Sequence, residues 1–321
     1  MKTKVHLQKA EKYSLERLEH FIRDSLNILD PNASLFSPGQ KILLKPNLLR
    51  GFEPDRCVTT HPLVVEAVCR VLKDFSVSQI DISDSPALGS LSAVADKAGY
   101  GYLEKKYGAE ILPLTDPVPF ENKTGVPHLK IAGCLERYDQ IINLPKVKSH
   151  CQMTMTLGIK NLFGLVIGKR KPVLHCLVKN DKLKFGEMLI DIAQHVNPCL
   201  TIADGIQAMQ GQGPINGTPC SLGVMGASKD MTALDRVFAD LLNIPLDKVY
   251  ALQAAKLKQF GQYHIENMEI SGTTDYQSLS VRDFKQAYPM DISFNPFRLI
   301  KSLLKQFYEL GIKEPIHARG K

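Results

Sequence analysis

The amino-acid sequence predicts an α/β fold: a doubly wound, mainly parallel, Rossmann-like sheet with helices on both faces. Short apolar runs alternate along the chain with longer segments of helical periodicity, which is the order of elements in repeated βαβ units. Several of the short runs are apolar throughout, as expected for strands that are covered on both faces. With 321 residues and 44% hydrophobic composition, the chain can also bury a sizeable core.

The predicted elements follow this order along the chain. The predicted strands are KILLK (41–45), SQIDISD (78–84), AEILPL (109–114), HLKIAG (128–133), DQIINL (139–144), LTIAD (200–204) and SLGVMGA (221–227). The predicted helices span residues 14–29, 62–75, 91–108, 184–196, 230–244 and 246–260, the third with a break at Gly99. We expect a single α/β domain over residues 1–290, without internal repeats.

Composition excludes several classes of protein. No apolar run approaches the ~20 residues that cross a bilayer, and the first residues lack the apolar block of a signal peptide. We therefore expect a cytoplasmic protein with no membrane partner. The seven cysteines are scattered and never in CxxC spacing, which argues against a disulfide framework and against a closed metal site. We expect no metal or cofactor bound within this chain.

Positive charge is concentrated in one segment. The formal charge of the chain is +7, yet residues 140–186 contain nine Lys or Arg side chains against Asp181 alone. The rest of the chain is therefore close to neutral. This segment begins at LPKVKSH (144–150), directly after an apolar predicted strand that stops at Pro145. Its position matters more than the total charge.

Polar side chains follow several predicted strands at the point where each strand ends. KPN (45–47), DSP (84–86), the basic segment after Leu144, and Asp204-Gly205 all have this position. Ligands of such sheets bind at the carboxyl ends of the strands. The sequence therefore predicts one cleft in which Lys45, Lys146, Lys148, His150, Lys160 and Asp204 converge.

Three motifs admit more than one interpretation. TTHP (59–62) is typical of a helix cap, or of an anion site at a helix N-terminus. GQGPING (211–217) resembles a dinucleotide fingerprint but precedes a predicted strand, so a glycine-rich loop that lets backbone approach a ligand or a neighbouring loop is favoured. The His-Cys pairs at 150–151 and 175–176 suggest a metal site only weakly, because no chelate spacing supports it.

The lysines of the basic segment are interpreted as an anion-binding pocket for a carboxylate or phosphate. The alternative is a solvated loop face, but the CQMTMTL stretch between them is too apolar for an exposed loop. His150 is the preferred functional imidazole: neighbouring cations should depress its pKa, so that the neutral ring accepts a proton from a bound anion. The predicted catalytic residues are His150, His175 and Lys160, and the predicted substrate-binding residues are Lys45, Asn47, Thr60, Lys146, Lys148, Asn161, Lys169, Asp204 and Gly213.

The chain resembles the family catalogued as Domain of Unknown Function 362. The motifs that carry the resemblance span most of residues 40–240: KPN (45–47), TTHP (59–62), INLPKVKSH (142–150), GIKNLFG (158–164), Lys169 with His175, ADGI (203–206), GxGPxxG (211–217) and D-x-x-A-L-D (230–235). Members of the family often carry a C-terminal ferredoxin-like module with two 4Fe-4S clusters on CxxCxxCxxxCP runs. This sequence has no such run.

The resemblance implies a redox-linked setting rather than a named reaction. Residues 291–321 are predicted as a C-terminal helix and tail, and their end, EPIHARGK, is the kind of sequence that leads into the first cluster cysteine. The chain is then either trimmed or a member without the module. The implied function is a cytoplasmic enzyme that binds a small anionic molecule and takes electrons from a ferredoxin module in cis or from a ferredoxin in trans.

Two other functions remain open from the sequence. A nucleic-acid-binding module could use the basic segment 146–184, but only Phe163 and Phe185 accompany its lysines and the protein has no Trp, whereas such modules interleave aromatic side chains for stacking. An isomerase that uses histidines and lysines around a substrate carbon fits the same residues. We expect no more than weak binding of nucleic acid.

Overall fold

The computed structural model describes residues 2–167, 170–273 and 275–292. Its strands are β1 (Thr3–Lys9), β2 (Lys41–Pro46), β3 (Gln79–Ile82), β4 (Ala109–Ile111), β5 (Pro117–Pro119), β6 (Lys130–Ala132), β7 (Gln140–Leu144), β8 (Lys146–His150), β9 (Thr154–Thr156), β10 (Leu200–Gln210), β11 (Thr218–Ser228) and β12 (Met268–Ser271). Its α-helices are α1 (Leu15–Leu29), α2 (Pro62–Asp74), α3 (Leu91–Lys97), α4 (Tyr102–Tyr107), α5 (Gly158–Asn161), α6 (Arg170–Leu177), α7 (Lys182–Val196), α8 (Met231–Leu241) and α9 (Tyr250–Leu257).

The predicted α/β class is confirmed. One large sheet has the strand order β12-β1-β11-β10-β7-β2-β3-β4, and β8 joins it by pairing with β10. The pairs from β10 to β4 are all parallel. The pairs that β11 makes with β1 and with β10 are antiparallel, so the sheet is mainly but not wholly parallel.

Helices cover both faces of this sheet. One apolar core contains side chains of α1 to α4, including Phe21 and Val68. The other contains side chains of α5 to α9, including Phe185 and Phe238. In β10, Ile202 belongs to the first core and Ala203 to the second, because successive strand residues point to opposite faces. The continuous apolar runs in the sequence are explained by this double coverage.

Local sequence patterns located most helices and strands but did not show which strands pair with each other. The break predicted at Gly99 separates α3 from α4. The predicted strand 128–133 is only β6, which pairs with β5 in a separate two-stranded sheet. β1, β5, β8, β9 and β12 were not predicted. β8 lacked an apolar pattern because it carries Lys146 and Lys148, both of which are nevertheless buried.

Within the described part of the chain, every helix is too short or too polar to pass through a lipid bilayer. The predicted tail, residues 291–321, lies outside the described residues beyond Ile292.

Candidate functional site

The polar strand ends meet where the topology predicts. β7 lies between β10 and β2, and Lys45 is in register with Asn143. After Pro145 the chain continues as β8, which pairs with β10 so that Lys146 is opposite Asp204. Asp204 therefore lies within a strand that continues to Gln210, and not at a strand end as the sequence suggested.

Lys45 is neutralised by a carboxylate from the next strand. Its Nζ lies 3.0 Å from Asp84 Oδ1, with side-chain exposures of 0% and 5%. The same Nζ donates to the Pro46 carbonyl at 2.8 Å. Gly164 packs directly against the pair, since a Cβ at this position would lie 2.0 Å from Asp84 Oδ1. Only glycine fits here, which explains the end of the GIKNLFG motif.

Lys146 is neutralised by Asp204. Its Nζ lies 2.9 Å from Asp204 Oδ2, and both side chains are buried. The Tyr13 hydroxyl donates to Asp204 Oδ1 at 2.8 Å and accepts from Lys146 Nζ at 2.8 Å. The His61 N–H, at the N-cap of α2, donates to Asp204 Oδ2 at 2.9 Å. The helix N-terminus at TTHP is thus occupied by the protein's own carboxylate, in agreement with the cap interpretation.

These two ion pairs correct the expectation of uncompensated charge. Asp204 lies outside residues 140–186 in the sequence, as does Asp84, yet both carboxylates reach the same edge of the sheet. Burial of Lys146 is tolerated because its ammonium group is paired and hydrogen-bonded. Neither Lys45 nor Lys146 presents a free ammonium group to a ligand.

Lys148 has a different environment. Its Nζ donates to Asn47 Oδ1 at 3.0 Å and to the Val58 carbonyl at 2.8 Å, and no described carboxylate lies within ion-pair distance of it. Burial, followed by the charges of Lys160 and Lys146, lowers the pKa of Lys148 well below its usual value. Lys148 is fully buried, so any effect that it has on neighbouring groups comes from inside the protein and not from the surface.

Thr60 and Gly213 have packing roles. Thr60 Oγ1 accepts from the Asn47 N–H at 2.9 Å and donates to the Leu144 carbonyl at 2.6 Å. The Gly213 loop joins the antiparallel strands β10 and β11, and a Cβ on Gly213 would lie 2.1 Å from the Ser149 carbonyl oxygen. The glycine-rich motif therefore lets one loop approach another, and no helix follows it as a dinucleotide site requires.

Lys160 lies on α5, a single helical turn that is fixed at both ends. The Asp235 carboxylate accepts from the Gly158 N–H at 2.7 Å and from the Ile159 N–H at 3.1 Å. Asn161 Nδ2 donates to the Lys45 carbonyl at 3.1 Å and to Asn143 Oδ1 at 2.8 Å. The backbone that carries Lys160 is therefore rigidly positioned.

The Lys160 ammonium group differs from the other lysines of this edge. Its Nζ lies 5.8 Å from the centre of the Phe163 ring and has no hydrogen-bond or carboxylate partner among the described residues, and the residue as a whole is partly exposed. Burial lowers its pKa to about 8. Its charge in turn helps to lower the pKa values of Lys148, His150, Lys171 and His175. The charge of Lys160 therefore affects the protonation of all four of these side chains.

His150 is buried at the end of β8. Its Nδ1 accepts from the Gln152 N–H at 3.1 Å and from the Met153 N–H at 3.2 Å. These bonds assign the proton of the neutral ring to Nε2. Burial, and then the charge of Lys160, lowers the pKa of His150 well below its usual value. The direction agrees with the sequence expectation, although burial is the main cause and the neutral ring presents an N–H donor rather than a lone pair.

His175 and Lys171 lie on α6. The His175 ring stacks on Phe185 at 4.5 Å and meets Phe163 edge-on at 5.7 Å. Burial lowers the pKa of His175 to about 3. Lys171 donates to the Ser85 carbonyl, and burial lowers its pKa to about 8. Lys169, a predicted ligand-binding residue, lies outside the described residues.

Sequence reasoning did not select four residues of this region. Asp84 and Asp235 had visible signals, a strand end and the D-x-x-A-L-D motif. Lys171 was counted as charge but not chosen. Tyr13 had no signal, since it lies 133 positions from Lys146 in the sequence. The described residues contain no group of three or more His, Cys, Asp or Glu side chains arranged to hold a metal ion.

Comparison with known proteins finds, among others, one relative by sequence and two solved structures. A "Thylakoid-associated protein sll1697" of Synechocystis sp. (strain ATCC 27184 / PCC 6803 / Kazusa) is 35% identical over 314 residues, which cover 98% of this chain and 97% of that protein. The lactate racemase apoprotein of Thermoanaerobacterium thermosaccharolyticum is 13% identical with a TM-score of 0.40, over 73% of this chain. A Thermotoga maritima protein is 10% identical with a TM-score of 0.44, over 68% of this chain.

The two solved structures are matched over only 55% and 56% of their own lengths. The family described as "Domain of unknown function (DUF362)" matches residues 42–240, the region that contains the lysines, both histidines and the glycine-rich loop described above. Since this match covers more than half of the sequence, the chain belongs to the DUF362 family.

Proposed function

We propose that this protein is an enzyme that binds a small anionic molecule, a carboxylate or phosphate, beside Lys160, and that Lys160 and His150 act on the bound molecule. The observation that carries the proposal is Lys160: the residue is partly exposed and lies on a turn fixed at both ends, and its ammonium group has no hydrogen-bond or carboxylate partner among the described residues. An anion at this position would supply the missing partner.

The neighbouring groups support binding of an anion. Lys171, with a pKa lowered only to about 8, adds positive charge near Lys160, while the neutral His150 ring offers its Nε2–H as a hydrogen-bond donor. Because the pKa of Lys160 is lowered to about 8, this group can release and take up a proton near neutral pH. His150 is then a donor to the ligand, and Lys160 is the group that exchanges the proton.

The redox part of the proposal rests on the family resemblance. A ferredoxin module in cis, or a ferredoxin in trans, would supply electrons to the bound molecule. The ultraviolet–visible spectrum and the iron content of the full-length protein, purified without oxygen, test this part separately. Absence of iron, together with no electron uptake from reduced ferredoxin, would remove it and leave the anion site in place.

The location is proposed as cytoplasmic. The Synechocystis relative is described as thylakoid-associated, so peripheral attachment to a membrane is the competing possibility. Fractionation of cells into soluble and membrane pools decides between them.

Calorimetric titration with oxalate, pyruvate and inorganic phosphate tests the anion site. We expect at least one of these anions to bind, and Lys160→Met to weaken its binding by roughly 10- to 100-fold, because a charge-assisted hydrogen bond is lost. Binding to the wild type should also weaken as the pH rises above about 8, where Lys160 loses its proton. Lys184→Met, from the same basic segment, is the matched control and should bind normally. Equal affinity in the Lys160 variant would contradict the proposal.

A further inference from the structure

We propose that Lys160 is a nucleophilic amine that forms an imine with a 2-oxo acid, because it is the partly exposed lysine of this edge whose Nζ has no hydrogen-bond acceptor among the described residues. This inference rests on the proposed anion site and names its substrate class: a molecule with a carbonyl group next to a carboxylate.

The other lysines of the edge are unsuited to this role. Lys45 and Lys146 are held by carboxylates at 3.0 and 2.9 Å and are sealed from solvent. Lys148 is also sealed, and its protons are directed to Asn47 Oδ1 and the Val58 carbonyl. Lys171 donates to the Ser85 carbonyl. A nucleophile must be reachable and its lone pair must be free, and among these five side chains Lys160 meets both conditions.

The surroundings of Lys160 maintain the amine in reactive form. The titratable groups coupled electrostatically to Lys160 are Lys148 and His150 of β8, Cys151 of the following turn, and Lys171 and His175 of α6. Nearby cations and an apolar wall, here Phe163, are the features that activate lysine nucleophiles. A pKa of about 8 in place of 10.5 raises the neutral-amine fraction at pH 7 by roughly 300-fold.

The reaction needs no oxidant or reductant. The Lys160 nitrogen forms a bond to the carbonyl carbon while the π electrons move to oxygen. The two amine protons then leave with that oxygen as water, and a C=N bond remains. His150 Nε2–H can hydrogen-bond the oxygen as negative charge develops on it. The Lys171 ammonium is the cation available for the substrate carboxylate. Once its nitrogen takes up a proton from solvent, the imine withdraws electrons and so assists removal of a proton from the adjacent carbon, C3 of the 2-oxo acid.

Reductive trapping tests the inference. The protein is incubated with pyruvate or 2-oxoglutarate and sodium cyanoborohydride, and the site of modification is mapped by peptide mass spectrometry. We expect one adduct per chain, on Lys160, that is lost in Lys160→Arg, which keeps the charge but not the nucleophile. Lys184→Arg should be trapped like the wild type. Circular dichroism confirms that both variants are folded.

The outcomes separate this inference from the proposed function. Adducts that form equally in Lys160→Arg, or that spread over surface lysines, overturn the imine. If calorimetry shows that pyruvate or 2-oxoglutarate binds and that Lys160→Met weakens the binding, but no adduct is trapped, the anion site stands and the imine is wrong. If no small anion binds and no adduct forms, both are wrong.

Discussion

At the residue scale, the ion pair of Lys146 with Asp204 shows how a charged side chain is accommodated inside this sheet. The Asp204 carboxylate accepts from Lys146, from the Tyr13 hydroxyl and from the His61 N–H. Removal of one partner of such a network leaves an uncompensated buried charge, which destabilises more than the pair itself stabilises. The pair is thus a structural element of the site and not a ligand-binding group.

We therefore predict that Lys146→Met lowers the free energy of unfolding by about 3–5 kcal/mol, measured by urea denaturation. The matched control is Lys97→Met, which breaks an exposed pair with Glu53 at 2.8 Å, with exposures of 58% and 64%. Exposed pairs contribute about 0–1 kcal/mol, so the control should be almost unchanged. Similar losses in the two variants would show that Lys146 is more hydrated than its burial indicates.

At the element scale, α5 depends on a carboxylate from another helix. Asp235, on α8, caps the N-terminal N–H groups of a turn too short to be stable by itself. Burial raises the pKa of Asp235 to about 7. Because this folded-state pKa lies above the unfolded value, the unfolded chain binds fewer protons between them, and the stability contributed by Asp235 falls as the pH rises toward and through about 7.

Asp235→Asn should remove that pH dependence, since the amide does not titrate. We predict that the stability difference, wild type minus variant, decreases between about pH 5 and pH 7 and levels off at higher pH. Urea denaturation at several pH values measures it. Asp235→Ala, which removes both acceptor oxygens, should be less stable than Asp235→Asn throughout, by about 1–3 kcal/mol. A difference that stays constant with pH would mean that the carboxylate is already charged in the folded protein at pH 5.

At the scale of the whole molecule, the segment 285–292 forms hydrogen bonds with three loops around the site. Gly211 donates to the Lys285 carbonyl at 2.6 Å and Met290 donates to the Cys151 carbonyl at 2.7 Å. Gln152 Nε2 donates to the Asp291 carbonyl at 2.9 Å. Asn180, in the turn after α6, accepts from the Ile292 N–H at 2.7 Å. The loops of β8, α6 and the β10–β11 turn are thereby held in one arrangement.

We predict that Asn180→Ala accelerates hydrogen exchange of the Ile292 amide by about 5-fold, because a hydrogen bond of about 1 kcal/mol is lost. Exchange of the Met290 amide should rise as well if segment 285–292 opens as a unit. Gln253→Ala, which removes an exposed bond to the Asp247 carbonyl at 2.6 Å, is the control. Unchanged exchange at Ile292 would show that this segment is held by other contacts.

The distribution of charge over the molecule leads to a prediction about nucleic acid. Lys146 and Lys148 are buried, so two cations of the basic segment cannot reach a phosphate backbone. Binding to single-stranded RNA should be weak at physiological salt, with a shallow dependence of log K on log salt concentration. A fluorescence titration across a salt series measures both. Tight binding with a steep slope would favour the nucleic-acid-binding alternative.

The sequence by itself determined the class of fold, most of the helices and the edge of the sheet at which polar groups collect. Helical and strand periodicities are local, so a window of ten residues contains them, and the edge follows because parallel strands share one carboxyl end. The resemblance to the DUF362 family was also visible in short motifs.

Only the tertiary structure decided which of those polar groups are available to a ligand. Compensation of charge acts through space: Asp84 pairs with Lys45, Asp204 with Lys146, and Tyr13 joins from the other end of the chain. The number of charged residues within 140–186 therefore overestimates the unpaired charge of this segment. The same holds for protonation, because the hydrogen bonds to His150 Nδ1 and the burial that lowers the pKa of Lys160 depend on how the chain packs. No local pattern in the sequence contains that information.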